Sequence, residues 1–324
     1  MGSVEREDYG TVRFTVPDDS ITAYDRAIYT LPANADYRDQ KVKLHDIRTA
    51  TDILPGLAGL DNQGFAYHKH KSALSGDEWL KDGNVEEIYT KELRDLIMKV
   101  TGARDAFVYC VAFRRRAPVD IGVGKVELRG GELDQVMQCV PRDKCLISGR
   151  DAYSTEPSRQ VHIDISLNGL LETFRSCRKD ITKKAQHIID AVDKGEPVPR
   201  YAAFSIWRPL KPVKRDPVVV CDTRTNDPKE IVPVEFRALS EFEDSSTYTM
   251  EALMGLPPKH PERQKWYYIS EQNPDEVLII KFADSAAGED TGVAPGALHT
   301  SAILEGTEDE EVRESAEARV FVFW

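Results

Sequence analysis

From Arg200 to the C-terminus the chain reads as strand after strand. Tyr201–Trp207, Val218–Cys221, Trp266–Ser270, Glu276–Phe282, Leu298–Ile303 and Ala318–Phe323 are short, rich in β-branched and aromatic residues, and separated by turn formers. Segments of this kind bury their apolar faces only by closing on one another, as a distorted barrel or a two-sheet sandwich. Two helical patterns interrupt them. Asp77 to Thr101 places Leu93, Ile97 and Val100 on one face, with Gly102 as a stop. Leu170 to Lys194 repeats Leu171, Phe174, Ile181, Ala185, Ile188, Ile189 and Val192 at helical spacing, and Gly195 and Pro197 end it. The expected fold class is mainly β with flanking helices (α+β).

The 324 residues are read as a single domain, 1–324. Residues 1–100 supply loops, short strands such as Thr11–Val16, and a helix packing on the core. Residues 101–324 form the core, with a helical insertion at about 169–195 and a long irregular excursion at about 224–265, punctuated by Asp-Pro, Pro-Pro and His-Pro. With 43 basic against 55 acidic residues the net charge is −12, so neither nucleic acid nor an anionic membrane is expected as a partner. Arg114-Arg115-Arg116 is the only basic triplet and reads as a solvated strand end. Cys110, Cys139, Cys145, Cys177 and Cys221 are odd in number and contain no CxxC pair, which suggests neither a zinc site nor a disulfide framework. No secretory pattern opens the chain, and no apolar run approaches 18 residues. A cytoplasmic protein is expected; its oligomeric state is open.

The chemistry is carried by His162 and Asp164, in Gln160-Val161-His162-Ile163-Asp164-Ile165-Ser166. Residues two apart on a strand project from the same face, so an imidazole and a carboxylate can reach one metal ion. His299, on a distant strand, offers a second imidazole. Two histidines and one carboxylate leave three positions open and suit non-haem Fe(II). Arg313 and Ser315 follow His299 by 14 and 16 residues. An arginine fork matches the distal carboxylate of 2-oxoglutarate, and the hydroxyl two residues on shares its face. Arg319 has the same parity and competes with Arg313 for that clamp. The remaining histidines are less suggestive. His68-Lys69-His70 lies in a polar segment, His187 in a helical pattern and His260 in a proline-rich loop. The expected enzyme uses Fe(II), 2-oxoglutarate and O2 on a small-molecule substrate.

An ordered set of segments over roughly residues 100–324 resembles the fungal and bacterial hydroxylase/desaturase family of the gibberellin-desaturase and cephem-methoxylase-component type. They are Val161-His162-Ile163-Asp164, Ile206-Trp207-Arg208-Pro209-Leu210, Asp216-Pro217, Cys221-Asp222, Trp266-Tyr267-Tyr268-Ile269-Ser270, Asp275 to Lys281, Asp284-Ser285, His299 and Arg313 to Arg319. The resemblance implies a double-stranded β-helix (jelly-roll, cupin-like) core and Fe(II)/2-oxoglutarate-dependent hydroxylation, desaturation or cyclisation of an unactivated C–H position, usually in secondary metabolism. The chain departs from the family pattern at Ala297-Leu298-His299-Thr300-Ser301-Ala302-Ile303 and at Ile165-Ser166-Leu167. Those departures keep the metal set and alter the substrate side, so no particular substrate carries over.

Three further residues have two readings each. Trp207 caps the core or lines the substrate pocket. Arg208 pairs with Asp216 or Asp222, or binds a carboxylate. Lys281, within an apolar strand, snorkels outward with Asp284 as its partner or points into a polar cavity. A substrate carboxylate would occupy Arg208, Lys281 or Arg116. Two rival functions are an iron-dependent oxidase that needs no 2-oxoglutarate and a catalytically silent barrel that binds a small acid.

Overall fold

The computed structural model describes residues 8–16, 36–117, 145–150, 156–176, 178–239, 247–288 and 291–324; Cys139 and Cys177 lie outside them. The described strands are β1 (Asp8–Val16), β2 (Asp36–Asp46), β3 (Phe65–Lys69), β4 (Asp105–Arg114), β5 (Leu146–Ser148), β6 (His162–Ile163), β7 (Tyr201–Pro209), β8 (Val218–Cys221), β9 (Ile231–Leu239), β10 (Thr247–Gly255), β11 (Trp266–Tyr268), β12 (Glu276–Asp284), β13 (His299–Ser301), β14 (Ile303–Leu304) and β15 (Ser315–Phe323). The α-helices are α1 (Gly56–Asn62), α2 (Thr90–Thr101), α3 (Leu167–Ser176) and α4 (Lys179–Lys194). None is long and apolar enough to cross a membrane.

Two sheets carry the site. One runs β14-β1-β2-β11-β8-β13-β6-β10-β9, the other β3-β12-β7-β15-β4-β5. The period of two along each strand explains the layers. Tyr201, Ala203 and Trp207 of β7, Leu278, Ile280 and Phe282 of β12, and Phe321 and Phe323 of β15 enter one core with Val219, Val220 and Trp266 of the larger sheet and with Leu298, just before β13. The alternate residues, Ala202, Phe204, Ile206, Val277, Ile279, Ala318 and Val320, enter a second core with Leu93, Leu96 and Ile97 of α2. Strands β7 and β12 are therefore buried on both faces. Their sequences run apolar without alternation for that reason.

Several expectations need correction. The helix read over Asp77–Thr101 is a 3-10 turn at Gly76–Leu80, a π turn at Val85–Tyr89 and α2; Gly102 does end it, at φ 68°. The helix read over Leu170–Lys194 is two helices that meet near Arg178, whose backbone leaves the helical region. Together α3 and α4 place Leu170, Phe174, Ile181, Ala185, Ile188 and Ile189 in the main core, which they cover at one end. The excursion at 224–265 is in part regular among its described residues. It contains β9 and β10, paired antiparallel from Ile231 opposite Gly255 to Leu239 opposite Thr247, and it extends the larger sheet past β6. Prolines and polar turns at its ends obscured that hairpin in the sequence.

Candidate metal and cosubstrate site

Strand β6 is only two residues long, and Asp164 already lies beyond it in a bend. The face-sharing argument for His162 and Asp164 thus holds through a turn rather than along a strand. The chain turns there because Ser166 anchors it: Ser166 N donates to the Glu251 carbonyl, and its hydroxyl donates to the Glu251 carboxylate at 2.5 Å before α3 starts. His299 sits opposite His162 on the adjacent antiparallel strand. One ligand atom from each of His162, Asp164 and His299 lies within 4.8 Å of the others. That separation suits a single metal ion.

The tautomers are set by the backbone. His162 Nδ1–H donates to the Gln160 carbonyl at 2.6 Å, and His299 Nδ1–H to the Ala297 carbonyl at 3.1 Å. Each imidazole is left with Nε2 toward the centre, the arrangement metal-binding histidines adopt. Phe282 stacks on His299 at 5.4 Å. Burial and the neighbouring His162 push the His299 pKa down to about 3. Burial also disfavours charge on His162, but the Asp164 carboxylate, 3.1 Å from its Nε2, outweighs it and raises the pKa. Burial works against the Asp164 carboxylate too, yet Arg319 and the imidazoles hold its pKa well below the usual range.

Arg313 is 2% exposed and does not pair with the acidic run at Glu308–Glu311. Its Nη1 donates to the Asp216 carbonyl at 2.6 Å and to the Ser301 hydroxyl at 3.2 Å. Its guanidinium lies over the Trp207 ring, 5.2 Å from the centroid. Asp216 has a left-handed backbone, φ 55°, and Arg159 and Arg215 hold its carboxylate. Its carbonyl is thereby presented to both Arg313 and Ser301. Two buried polar atoms have no hydrogen-bond partner here, Arg313 Nε and Ser315 Oγ. Burial and the nearby Arg114 push the Arg313 pKa down to about 9. A guanidinium does not escape that strain by losing a proton. A buried carboxylate would relieve it and would satisfy both orphaned atoms. The residues present therefore fit an Fe(II) ion and a dicarboxylate.

Arg319, expected beside the clamp, instead donates from Nε to Asp164 Oδ2 at 2.9 Å. Arg208 and Lys281 do not face the site, which corrects the substrate-side expectation for both. Arg208 lies on the outer face of β7, where it donates to the His70 and Pro274 carbonyls and to Tyr89 Oη, not to Asp216 or Asp222. Lys281 contacts Asp284 at 2.6 Å and Asp61 at 3.0 Å, and Arg200 completes that cluster. Its side chain points away from the face that Phe282 presents to His299. Trp207 does lie on the inner face, beneath Arg313. Of the basic triplet, Arg116 is exposed, Arg115 pairs with Glu314, and Arg114 comes within 3.7 Å of the buried Glu317. Strand parity could have flagged Glu317, midway between Ser315 and Arg319, and Ser301, two residues after His299. Nothing local flagged the Asp216 carbonyl.

Comparison with known proteins agrees with this geometry. The chain is 29% identical over 299 residues to the gibberellin cluster GA4 desaturase of Gibberella fujikuroi, covering 85% of this chain and 86% of that one. It is 26% identical over 296 residues to the Fe(II)/2-oxoglutarate-dependent dioxygenase nvfI of Aspergillus novofumigatus, covering 90% and 86%. The solved structure of the iron and α-ketoglutarate-dependent endoperoxidase NvfI superposes with a TM-score of 0.65 at 24% identity, over 98% of each chain, and shows the same fold. Fold, site and relatives define an enzyme of the Fe(II)/2-oxoglutarate-dependent dioxygenase class. Residues 13–323 match the family described as "Oxidoreductase/YMDC permease-like domain", and the chain belongs to that family.

Proposed function

We propose that the protein oxidises an unactivated C–H position of a small organic molecule of secondary metabolism, by hydroxylation, desaturation or cyclisation, on a double-stranded β-helix core. In this reading His162, Asp164 and His299 hold Fe(II) through Nε2, Oδ1 and Nε2. Arg313 and Ser315 take the distal carboxylate of 2-oxoglutarate, and Trp207 backs the guanidinium. Bound there, the iron supplies O2 activation coupled to conversion of 2-oxoglutarate to succinate and carbon dioxide.

The chain's own part is positioning and exclusion of water. The Gln160 and Ala297 carbonyls fix Nδ1–H on both rings and leave Nε2 facing the centre. Phe282 closes the far side of His299. Ser301 ties the strand carrying His299 to Arg313, so the metal and clamp ends are fixed relative to each other.

The observation that carries this reading is the pair of orphaned atoms, Arg313 Nε and Ser315 Oγ. In an oxidase without 2-oxoglutarate the same pair would hold a substrate carboxylate, so cosubstrate binding separates the two. The test is an anaerobic titration of metal-free protein with Fe(II) and 2-oxoglutarate, following the visible charge-transfer band, in wild type, His299→Ala and Arg313→Met. The band is expected in wild type alone. Iron binding without a band in wild type would favour the oxidase, and no iron binding would favour a silent barrel.

A further inference from the structure

The carboxylate of Asp164 has its two oxygens committed to different sheets. Oδ1 faces the imidazoles, 3.1 Å from His162 Nε2. Oδ2 accepts from Arg319 Nε at 2.9 Å. Asp164 lies in the bend just past β6 of the larger sheet and Arg319 on β15 of the smaller one, so this ion pair links the two.

The local surroundings of Arg319 direct it there. Its cross-strand partners are Ser205 on β7 and Cys110 on β4, both small and neutral. The register of β15 against β4 shifts between Arg319 and Val320, a bulge of the kind that re-aims side chains beside active sites. Cys110 Sγ lies 3.8 Å from Nη1. A second carboxylate, Glu317, shares the inner face two residues away, yet it stands near Arg114 and Ser205 instead. The guanidinium thus crosses to the metal carboxylate although an acid on its own strand is available.

We infer that Arg319 is a positioning residue that keeps Asp164 a one-oxygen ligand. This rests on the reading that the triad holds iron. A free carboxylate can bind a divalent cation through one or both oxygens. With Oδ2 held by a charge-assisted hydrogen bond, only Oδ1 is free for the metal. The coordination position that Oδ2 would otherwise take then stays open for the 2-oxo acid, whose chelation needs two adjacent positions. Arg319 therefore acts on cosubstrate binding through Asp164, without itself gripping the distal carboxylate.

The test compares wild type, Arg319→Met, Arg319→Gln and Arg319→Lys, each checked for fold by circular dichroism. Fe(II) affinity is measured anaerobically without cosubstrate, and 2-oxoglutarate affinity of the iron form is measured from the charge-transfer band. In Arg319→Met the released Oδ2 competes for the metal. Fe(II) should bind at least as tightly as in wild type, while 2-oxoglutarate binding weakens about tenfold or more. Lysine, which can still donate to Oδ2, should recover most of that loss, and glutamine part of it. Parallel loss of iron and 2-oxoglutarate would mark a merely structural residue and overturn the inference. So would a band of wild-type position and affinity in the methionine and glutamine variants. A wild type that gives no band fails earlier, and rejects the iron and 2-oxoglutarate reading itself.

Discussion

His162 and His299 are direct partners on adjacent antiparallel strands, with ring centroids 4.5 Å apart and each Nδ1–H tied to the carbonyl two residues before it. Both Nε2 atoms are thereby delivered to one point beside Asp164. The Asp164 contact beside that point raises the His162 pKa, against the opposing effect of burial.

Iron at that point competes with a proton on His162 Nε2. Fe(II) binding is expected to release protons below the raised His162 pKa, and to tighten as pH rises through it. Calorimetry in two buffers of different ionisation enthalpy measures the release, and identical heats would contradict it. At 100 times Kd the metal should stabilise the fold by about 2.7 kcal/mol. His162→Ala should show neither effect.

Arg313 predicts an inverse relation between stability and binding. Its buried guanidinium lacks an acidic partner among the described residues and leaves Nε unmatched. Arg313→Met should leave the ligand-free protein as stable as wild type, or more stable by on the order of 1–3 kcal/mol. The Asp216 carbonyl keeps Ser301 as a donor. The same variant should lose the rise in Tm that 2-oxoglutarate gives wild type. A variant that is destabilised yet still stabilised by 2-oxoglutarate would refute the clamp.

Gly296 predicts a steric route to the metal site. A Cβ there would meet the Phe282 carbonyl oxygen at 2.4 Å, and neither backbone segment can yield cheaply. Gly296 lies three residues before His299, and Phe282 is the ring stacked on that histidine. Gly296→Ala should cost about 1–3 kcal/mol and weaken Fe(II) binding disproportionately. Gly288→Ala, where a Cβ meets only Thr291 at 3.5 Å, serves as the neutral comparison. Equal iron affinity in all three proteins would sever the proposed link.

The Lys281, Asp284, Asp61 and Arg200 cluster predicts an acid limb in stability. Burial opposes the Asp284 charge, but Arg200 and Lys281 overcome it and lower its pKa. A carboxylate lowered in the folded state contributes stability that is present above its unfolded pKa of about 3.9 and fades as pH falls through the folded value. Asp284→Asn should therefore cost about 3–5 kcal/mol at pH 7, because it leaves Lys281 buried with a weakened partner set. The difference from wild type should shrink only below about pH 4. Urea titrations at pH 7, 5 and 3.5 measure it, and a gap independent of pH would be contrary to this account.

The residues of the site were legible because their chemistry is concentrated in few positions. His162, Asp164, His299, Arg313 and Ser315 stand out by type and spacing, and the structure gathers the first three within 4.8 Å. Arg208 and Lys281 were misplaced for one shared reason. A buried cation in an apolar strand signals a partner but not which face of the sheet holds it: His70 and Pro274 reach Arg208 from other segments, and Asp61 joins the nearby Asp284 at Lys281. The β9–β10 hairpin was missed because turn residues dominated a window whose strands are recognised only once they pair.

Sequence by itself determined strands such as β7, β8, β12 and β15, where Gly102 and Gly195 stop their helices, and which side chains could bind a metal and an acid. These follow from backbone preference and donor chemistry, which are local properties. Tertiary structure alone decided that β6 would end at Ile163 and hand Asp164 to a bend, and that Arg319 would cross the core to Asp164 rather than join the clamp. It also decided that the Asp216 carbonyl would steady Arg313. Those outcomes depend on how two sheets face each other across a shared core, a relation that no single stretch of chain contains.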